Sequence, residues 1–185
     1  MTEAVGVGVL VSGSGTNLQA LIDAGIPIAA VAANVAGAPA LARAARVGAP
    51  TAVFPLDDYS DRDARDEAMA DWLVSLGVGL VVCAGYMHLL RPTFLARFRA
   101  RVVNVHPALL PAFPGSHAIE DTLAAGATET GATVHLVDEG VDTGAVLRQE
   151  VVPVLPGDTP ETLHARIRVV EHRLLPEVVR ELIAA

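Results

Sequence analysis

The chain has 185 residues, 52% of them hydrophobic, with a mean hydropathy of +0.45, enough for one domain with a sizeable core and too little for two full ones. Its formal net charge is −8, its pI about 5.1, and all 13 of its basic residues are arginine; binding to nucleic acid, which needs phosphates neutralised by Lys and Arg, is therefore not expected. No run approaches the roughly 18 uncharged apolar residues of a membrane span, the start Met1-Thr2-Glu3-Ala4-Val5 lacks the basic opening of a signal peptide, and the lone Cys83 excludes an internal disulfide, which fits a reducing, cytoplasmic setting.

In chain order, Val5–Val11 is a continuous apolar run that predicts a buried parallel strand. Thr16–Ala24 reads as a helix, Ile26–Ala33 as a second strand, Ala38–Val47 as a second helix and Thr51–Phe54 as a short third strand. Ser60–Leu76 predicts a long helix, started by capping-box-like spacing of Ser60 and Asp63 and carrying an apolar stripe of Met69, Trp72, Leu73 and Leu76. Val78–Ala84 and Arg101–Val105 follow as strands. This alternation predicts an α/β fold, a mostly parallel twisted sheet with helices on both faces. Val134–Val137 and Ala145–Val154 then read as an antiparallel pair, since no helix fits between them. A last helix, about Thr159–Ala184, presents Leu163, Ile167, Val170, Leu174 and Val178, with a kink expected at Pro176.

Asn104 and His106 stand two apart at a strand end, in Asn104-Val105-His106-Pro107. Alternation along a strand puts both side chains on one side, where two fixed donors suit a developing oxyanion. A turn-capping Asn beside a structural His is the plainer reading of the same segment. Ser12-Gly13-Ser14-Gly15-Thr16-Asn17, between the first strand and helix, can bring backbone amides to a phosphate; a tight turn with no ligand is the alternative. It has no Walker lysine, and Leu18 and Asn34 spoil a dinucleotide fingerprint. Arg62 begins the third helix at the sheet edge where ligands bind in such folds, one heptad before Met69 and so on the inner side; an exposed arginine in an acidic helix start is the plainer reading. Gly85-Tyr86-Met87-His88-Leu89-Leu90 mixes flat, flexible and apolar groups fit to wall a ring system, or simply core. Asp142, in the acidic loop Asp138–Asp142, could orient a catalytic histidine, although solvated charges are the usual case for such a turn. Glu171 sits at the rim of the last helix's apolar face, His172 points outward, and His135 reads as a structural strand histidine. No His/Cys group has metal-site spacing.

Together these segments resemble the glycinamide ribonucleotide (GAR) formyltransferases, folate-dependent enzymes of purine synthesis. The carriers are Ser12–Ala20, Ala84–Met87, Asn104–Pro111, Gly131–His135, Val141–Gly144 and Glu171-His172, in order across nearly the whole chain. The resemblance implies one Rossmann-like formyltransferase domain over 1–185, with a phosphate-binding half to about residue 100 and a catalytic, folate-binding half after it. It implies Asn104, His106 and Asp142 as the catalytic trio, and Gly13, Ser14, Gly15, Thr16, Asn17 and Glu171 as the ribonucleotide site. Folate would lie among Arg62, Met87, His88, Leu89, Leu90, Asn104, Val137, Asp138 and Asp142, and Leu110-Pro111 would be a cis peptide. The co-substrate would be 10-formyltetrahydrofolate, with no metal. Partners would be small molecules only, with no nucleic acid and no membrane, and the protein would be a monomer or homodimer. His88 departs from the Arg common at its position, and Ala112 from a polar residue. The rivals are hydrolysis of the same folate and a catalytically silent folate or nucleotide sensor.

Overall fold

A computed structural model describes residues 5–185; Met1–Ala4, on which the expectation of no leader rests, lies outside them. The elements are β1 (Gly6–Val11), α1 (Thr16–Asp23), β2 (Ile28–Ala33), α2 (Pro39–Arg46), β3 (Thr51–Val53), α3 (Arg62–Ser75), β4 (Val78–Cys83), α4 (Pro92–Phe98), β5 (Val102–His106), α5 (Ala118–Ala124), β6 (Glu129–Leu136), β7 (Val146–Pro153) and α6 (Pro160–Ala184). They build one seven-stranded sheet in the order β3-β2-β1-β4-β5-β6-β7. β1 to β5 pair in parallel, while β6 is antiparallel to both β5 and β7. The α/β class, the parallel majority and the antiparallel pair agree with the sequence reading.

Alternation along β1 divides the core. Val7, Val9 and Val11 pack with Leu18, Leu21, Leu163, Ile167 and Leu174 under α1 and α6. Leu10 faces the other layer, with Met69 and Leu73 of α3 and Phe94 and Phe98 of α4. A strand covered on both faces has no polar side to show, which is why β1 reads as an unbroken apolar run.

Several expectations need correction. α4 and α5, seven residues each, have no counterpart in the sequence reading; two turns carry too few apolar repeats to set a period, and the Pro at the start of α4 was the available signal. β6 begins at Glu129, five residues before the expected Val134, because Glu129–Thr133 pairs with β7. The cap of α3 is Asp61, whose carboxylate accepts from the Ala64 N–H at 2.8 Å, not Ser60. Leu76 leaves the expected stripe and is exposed at the end of that helix, while Arg65 and Asp66 are fully buried on it. α6 spans Pro160–Ala184 with the buried Pro176 inside it, so the proline does not end the helix.

The turn after β5 is clamped from β6 and β7. Thr133 Oγ1 donates to the Ala108 carbonyl at 2.6 Å and accepts from the Leu110 N–H at 3.1 Å, and Gln149 Nε2 donates to the Leu110 carbonyl at 2.7 Å. The Leu110-Pro111 bond that follows is cis, as the resemblance implies. Gly131 lies under this turn: a Cβ there would run into the Glu150 carbonyl oxygen and the Leu109 side chain. Gly131→Ala is expected to lower stability by about 1–3 kcal/mol through this overpacking, read as an earlier urea midpoint; an unchanged midpoint would mean that the turn is not held as described.

Candidate active site

β1 pairs with β2 on one side and β4 on the other, so the order of the parallel strands reverses there, and ligands bind at the carboxyl edge of such a switch. The glycine loop leaves β1 at this edge. Gly15 takes a left-handed φ of 71° at the start of α1, and a Cβ on it would come within 2.5 Å of the Ala40 Cβ. α2 holds the loop's carbonyls from outside: the Ala40 N–H donates to Gly13 O at 3.1 Å and Arg43 Nε to Ser14 O at 2.8 Å. First-turn amides of a helix have no intrahelical acceptor and carry partial positive charge, so the loop's inner side suits an anion.

Across from the loop, Asn17 Nδ2 donates to Glu171 Oε2 at 3.3 Å. Glu171 is not at the rim, as its helical position implied, but buried at 4% exposure. Burial pushes its carboxyl up to about 7, against the Asn17 bond and the Arg168 charge. His172, expected to be solvated, is half-buried. Asn17 Oδ1, Arg168 Nε and His172 Nε2 are buried without a hydrogen-bond partner. Buried polar atoms are ordinarily paired, and these three lie on α6 or beside its Glu171. The sequence reading missed Arg168; its signal is the spacing, one helical turn before Glu171.

The second cluster centres on Asp142. Asn104 and His135 are paired across β5 and β6, so their side chains share a face with His106. Asn104 Nδ2 lies 3.1 Å from His135 Nε2. Asp142 folds onto this face with a φ of 53°. Its Oδ2 is 3.3 Å from His106 Nδ1 and accepts from the Gly115 N–H at 2.8 Å, and its Oδ1 is 3.5 Å from His135 Nε2. The His135 contact, the Gly115 N–H and the two imidazole charges hold the Asp142 carboxyl below the usual range against the effect of burial. His135 is thus a polar partner inside the cluster rather than a bystander. His106 differs from expectation as well: its Nε2 faces the Phe113 carbonyl at 2.8 Å, and it is 4% exposed. Both of its ring nitrogens thus lie beside oxygen atoms, one of Asp142 and one of Phe113.

A cleft of about 80 Å3 opens on Asn104, His135 and Asp142 and is walled by His88, Leu89, Leu90, Val137 and Asp138, with Cys83, Tyr86 and Gly140. Seven of the nine positions expected to surround folate line it. Met87 is 63% exposed beside it. Arg62 is exposed, not turned inward; the arginine that α3 buries is Arg65, which reaches His88 Nδ1 at 3.0 Å. Asp138 holds its own loop, accepting from Thr143 Oγ1 at 2.6 Å and the Gly140 N–H at 3.0 Å. A larger hollow, about 480 Å3, lies between α1, α2 and α6 and touches Thr16 and His172 but none of Asn104, His106 and Asp142.

Residues 6–179 match the family model described as formyl transferase. The phosphoribosylglycinamide formyltransferase of Mycobacterium tuberculosis is 48% identical over 178 residues, which are 94% of this chain and 83% of that protein. The trifunctional purine biosynthetic protein adenosine-3 of Drosophila pseudoobscura pseudoobscura is 45% identical over 94% of this chain, which spans only 13% of its length. Among solved structures, glycinamide ribonucleotide transformylase 1 from Symbiobacterium toebii superposes with a TM-score of 0.97 at 43% identity, covering 100% of this chain and 90% of that one. The chain belongs to the formyl transferase family, in its phosphoribosylglycinamide formyltransferase group.

Proposed function

We propose that this chain transfers the formyl group of 10-formyltetrahydrofolate to the amine of GAR in purine biosynthesis, releasing formyl-GAR and tetrahydrofolate. The observation that carries this reading is Asp142 between His106 and His135, with Asn104 beside it in the cleft. The protein would act on these two small molecules in the cytoplasm, as a monomer or homodimer, and needs no metal for the step described below.

In this reading Gly13, Ser14, Gly15, Thr16 and Asn17 hold the ribonucleotide phosphate, with Arg168 supplying charge. Glu171 accepts from its amine or hydroxyls. The wall from Met87 to Leu90, with Val137, Asp138 and Arg62 at the mouth, holds the folate. The phosphate loop belongs to residues 1–100 and the reacting groups to 101–185, although α3 and the Met87–Leu90 wall make the first half a folate lobe too.

The amine attacks the formyl carbon, and negative charge grows on the former carbonyl oxygen. Asn104 donates to that oxygen from the cleft. His106 joins it by exchanging its Phe113 contact for the oxyanion, while Asp142 keeps the ring protonated. The attacking nitrogen loses a proton and folate N10 gains one, relayed by Asp142 and a water. The intermediate then collapses with cleavage of the bond from carbon to N10. Removing one oxyanion donor costs on the order of 100- to 1,000-fold in kcat.

Three measurements test this account. With 10-formyltetrahydrofolate, release of tetrahydrofolate should require GAR; release without it would make the protein a hydrolase, and tight folate binding without release a sensor. His106→Ala should lower kcat by about 100-fold or more with folate affinity kept, and turnover within about tenfold of wild type would remove His106 from the step. Glu171 provides a pH test. Its folded pKa of about 7 lies above the ordinary 4.5, so the folded state holds its proton more tightly than the unfolded chain. The resulting stabilisation is complete below pH 4.5 and is lost as pH rises through about 7. Wild type should therefore lose about 2–3 kcal/mol relative to Glu171→Gln between pH 5 and pH 8; parallel stability profiles would contradict the buried carboxyl.

A further inference from the structure

A second polar chain runs behind the cleft, outside the Asp142 cluster. Arg65 Nη1 donates to His88 Nδ1 at 3.0 Å. His88 Nε2 lies 3.2 Å from the Asn34 amide, whose other end lies 2.6 Å from Ser12 Oγ. The Met87 N–H donates to the same Ser12 oxygen at 2.9 Å. Arg65 is fully buried and is fixed by Asp66, at 2.5 Å from its Nε, and Asp66 in turn accepts from the Arg91 N–H at 2.7 Å.

The protons in this chain can be assigned. A guanidinium can only donate, so His88 Nδ1 must offer its lone pair to Arg65. A neutral imidazole then carries its hydrogen on Nε2. That hydrogen needs an acceptor, so Asn34 must turn its carbonyl oxygen towards His88 and its NH2 towards Ser12; the two ends of an amide are exchangeable in this way, whereas arginine has no such freedom. The Ser12 oxygen then accepts from both Asn34 and Met87, and its own hydrogen is left without a protein acceptor. The opposite amide orientation would place donors at both nitrogens of His88, which no neutral imidazole can accept.

We propose that Arg65 fixes His88 as the Nε2–H tautomer, and that Asn34 passes this on to Ser12, whose hydroxyl becomes a donor to an acceptor oxygen of bound substrate. Ser12 stands where the glycine loop leaves β1 and is bonded to Met87 at the head of the folate wall, so either substrate could be the acceptor. His88 and Asn34 are positioning residues in this scheme; Ser12 is a binding residue. The charged groups that act on the His88 ring are Arg65, Arg62 and Asp66, all on α3; burial and the two arginines keep the ring neutral against the single carboxylate. The proposal rests on the formyltransferase reading only for the identity of the ligands.

Long-range 1H–15N correlation of the ligand-free wild-type protein at pH 7 reads the tautomer, with the His88 signals assigned by their loss in His88→Gln. A protonated Nε2 and a bare Nδ1 are expected; a protonated Nδ1, on a neutral or a charged ring, would overturn the chain. Equilibrium Kd values for GAR and for 10-formyltetrahydrofolate, each measured alone, then test the donor in Ser12→Ala. One Kd should rise about tenfold, the loss of one hydrogen bond of about 1.4 kcal/mol, while the other stays within about twofold; the ligand affected is the acceptor. Two unchanged values would overturn the donor role. Two equal rises would show that Ser12 only shapes the loop, and would overturn it too. The tautomer is read without ligand or turnover, so its failure is separate from any failure of the formyltransferase reading.

Discussion

One carboxylate holds the polar cluster at the end of β5 and β6 together. Asp142 takes a left-handed backbone conformation in the β6–β7 loop and meets His106 of β5, His135 of β6 and the Gly115 N–H of the turn after β5. Two imidazoles and an amide around one oxygen pair form an anion site built for a side chain. Through His135 the same carboxylate reaches Asn104, the group aimed into the cleft. The antiparallel return of β6 against β5 makes this possible, because it brings Asn104 and His135 opposite each other on one face.

The opposite end of the site works by burial instead. Glu171 sits in the protein with Asn17 as its hydrogen-bond partner, and desolvation outweighs that bond and the Arg168 charge together. A carboxyl poised near neutrality can present either a donor or an acceptor to a ligand. The chain's charge of −8 says nothing against an anionic ligand here, since the loop amides act at short range and more distant exposed charges are screened beyond a Debye length of about 8 Å.

The fold was legible where periodicity was long. Every parallel strand and each of α1, α2, α3 and α6 could be read from runs of apolar residues, and the antiparallel pair from the lack of a helix between two strands. α4 and α5 could not, being too short to show a period. In the site, Asn104, His106 and Asp142 were readable as chemistry, but their meeting was not: Asp142 lies 36 residues after His106 in the sequence, and only the strand register brings them within 3.3 Å. Heptad spacing to Met69 pointed Arg62 inward, whereas Arg62 is exposed and the buried residues of α3 begin at Arg65. The role of His135 was hidden because a strand histidine has no local mark of the residue it will face. Arg168 has no local mark either, because the burial of its Nε depends on how α6 packs in the fold.

In the proposed reaction Asp142 drives formyl transfer by holding charge and proton at the imidazole pair, beyond its part in loop shape. Single-turnover formyl transfer by Asp142→Asn, measured beside its folate Kd, tests this most directly, because the amide keeps the size and the Gly115 contact but gives up the charge. The transfer rate should fall by at least about 100-fold with the folate Kd changed less than about threefold. A rate within about tenfold of wild type, or a loss explained wholly by weaker folate binding, would contradict it.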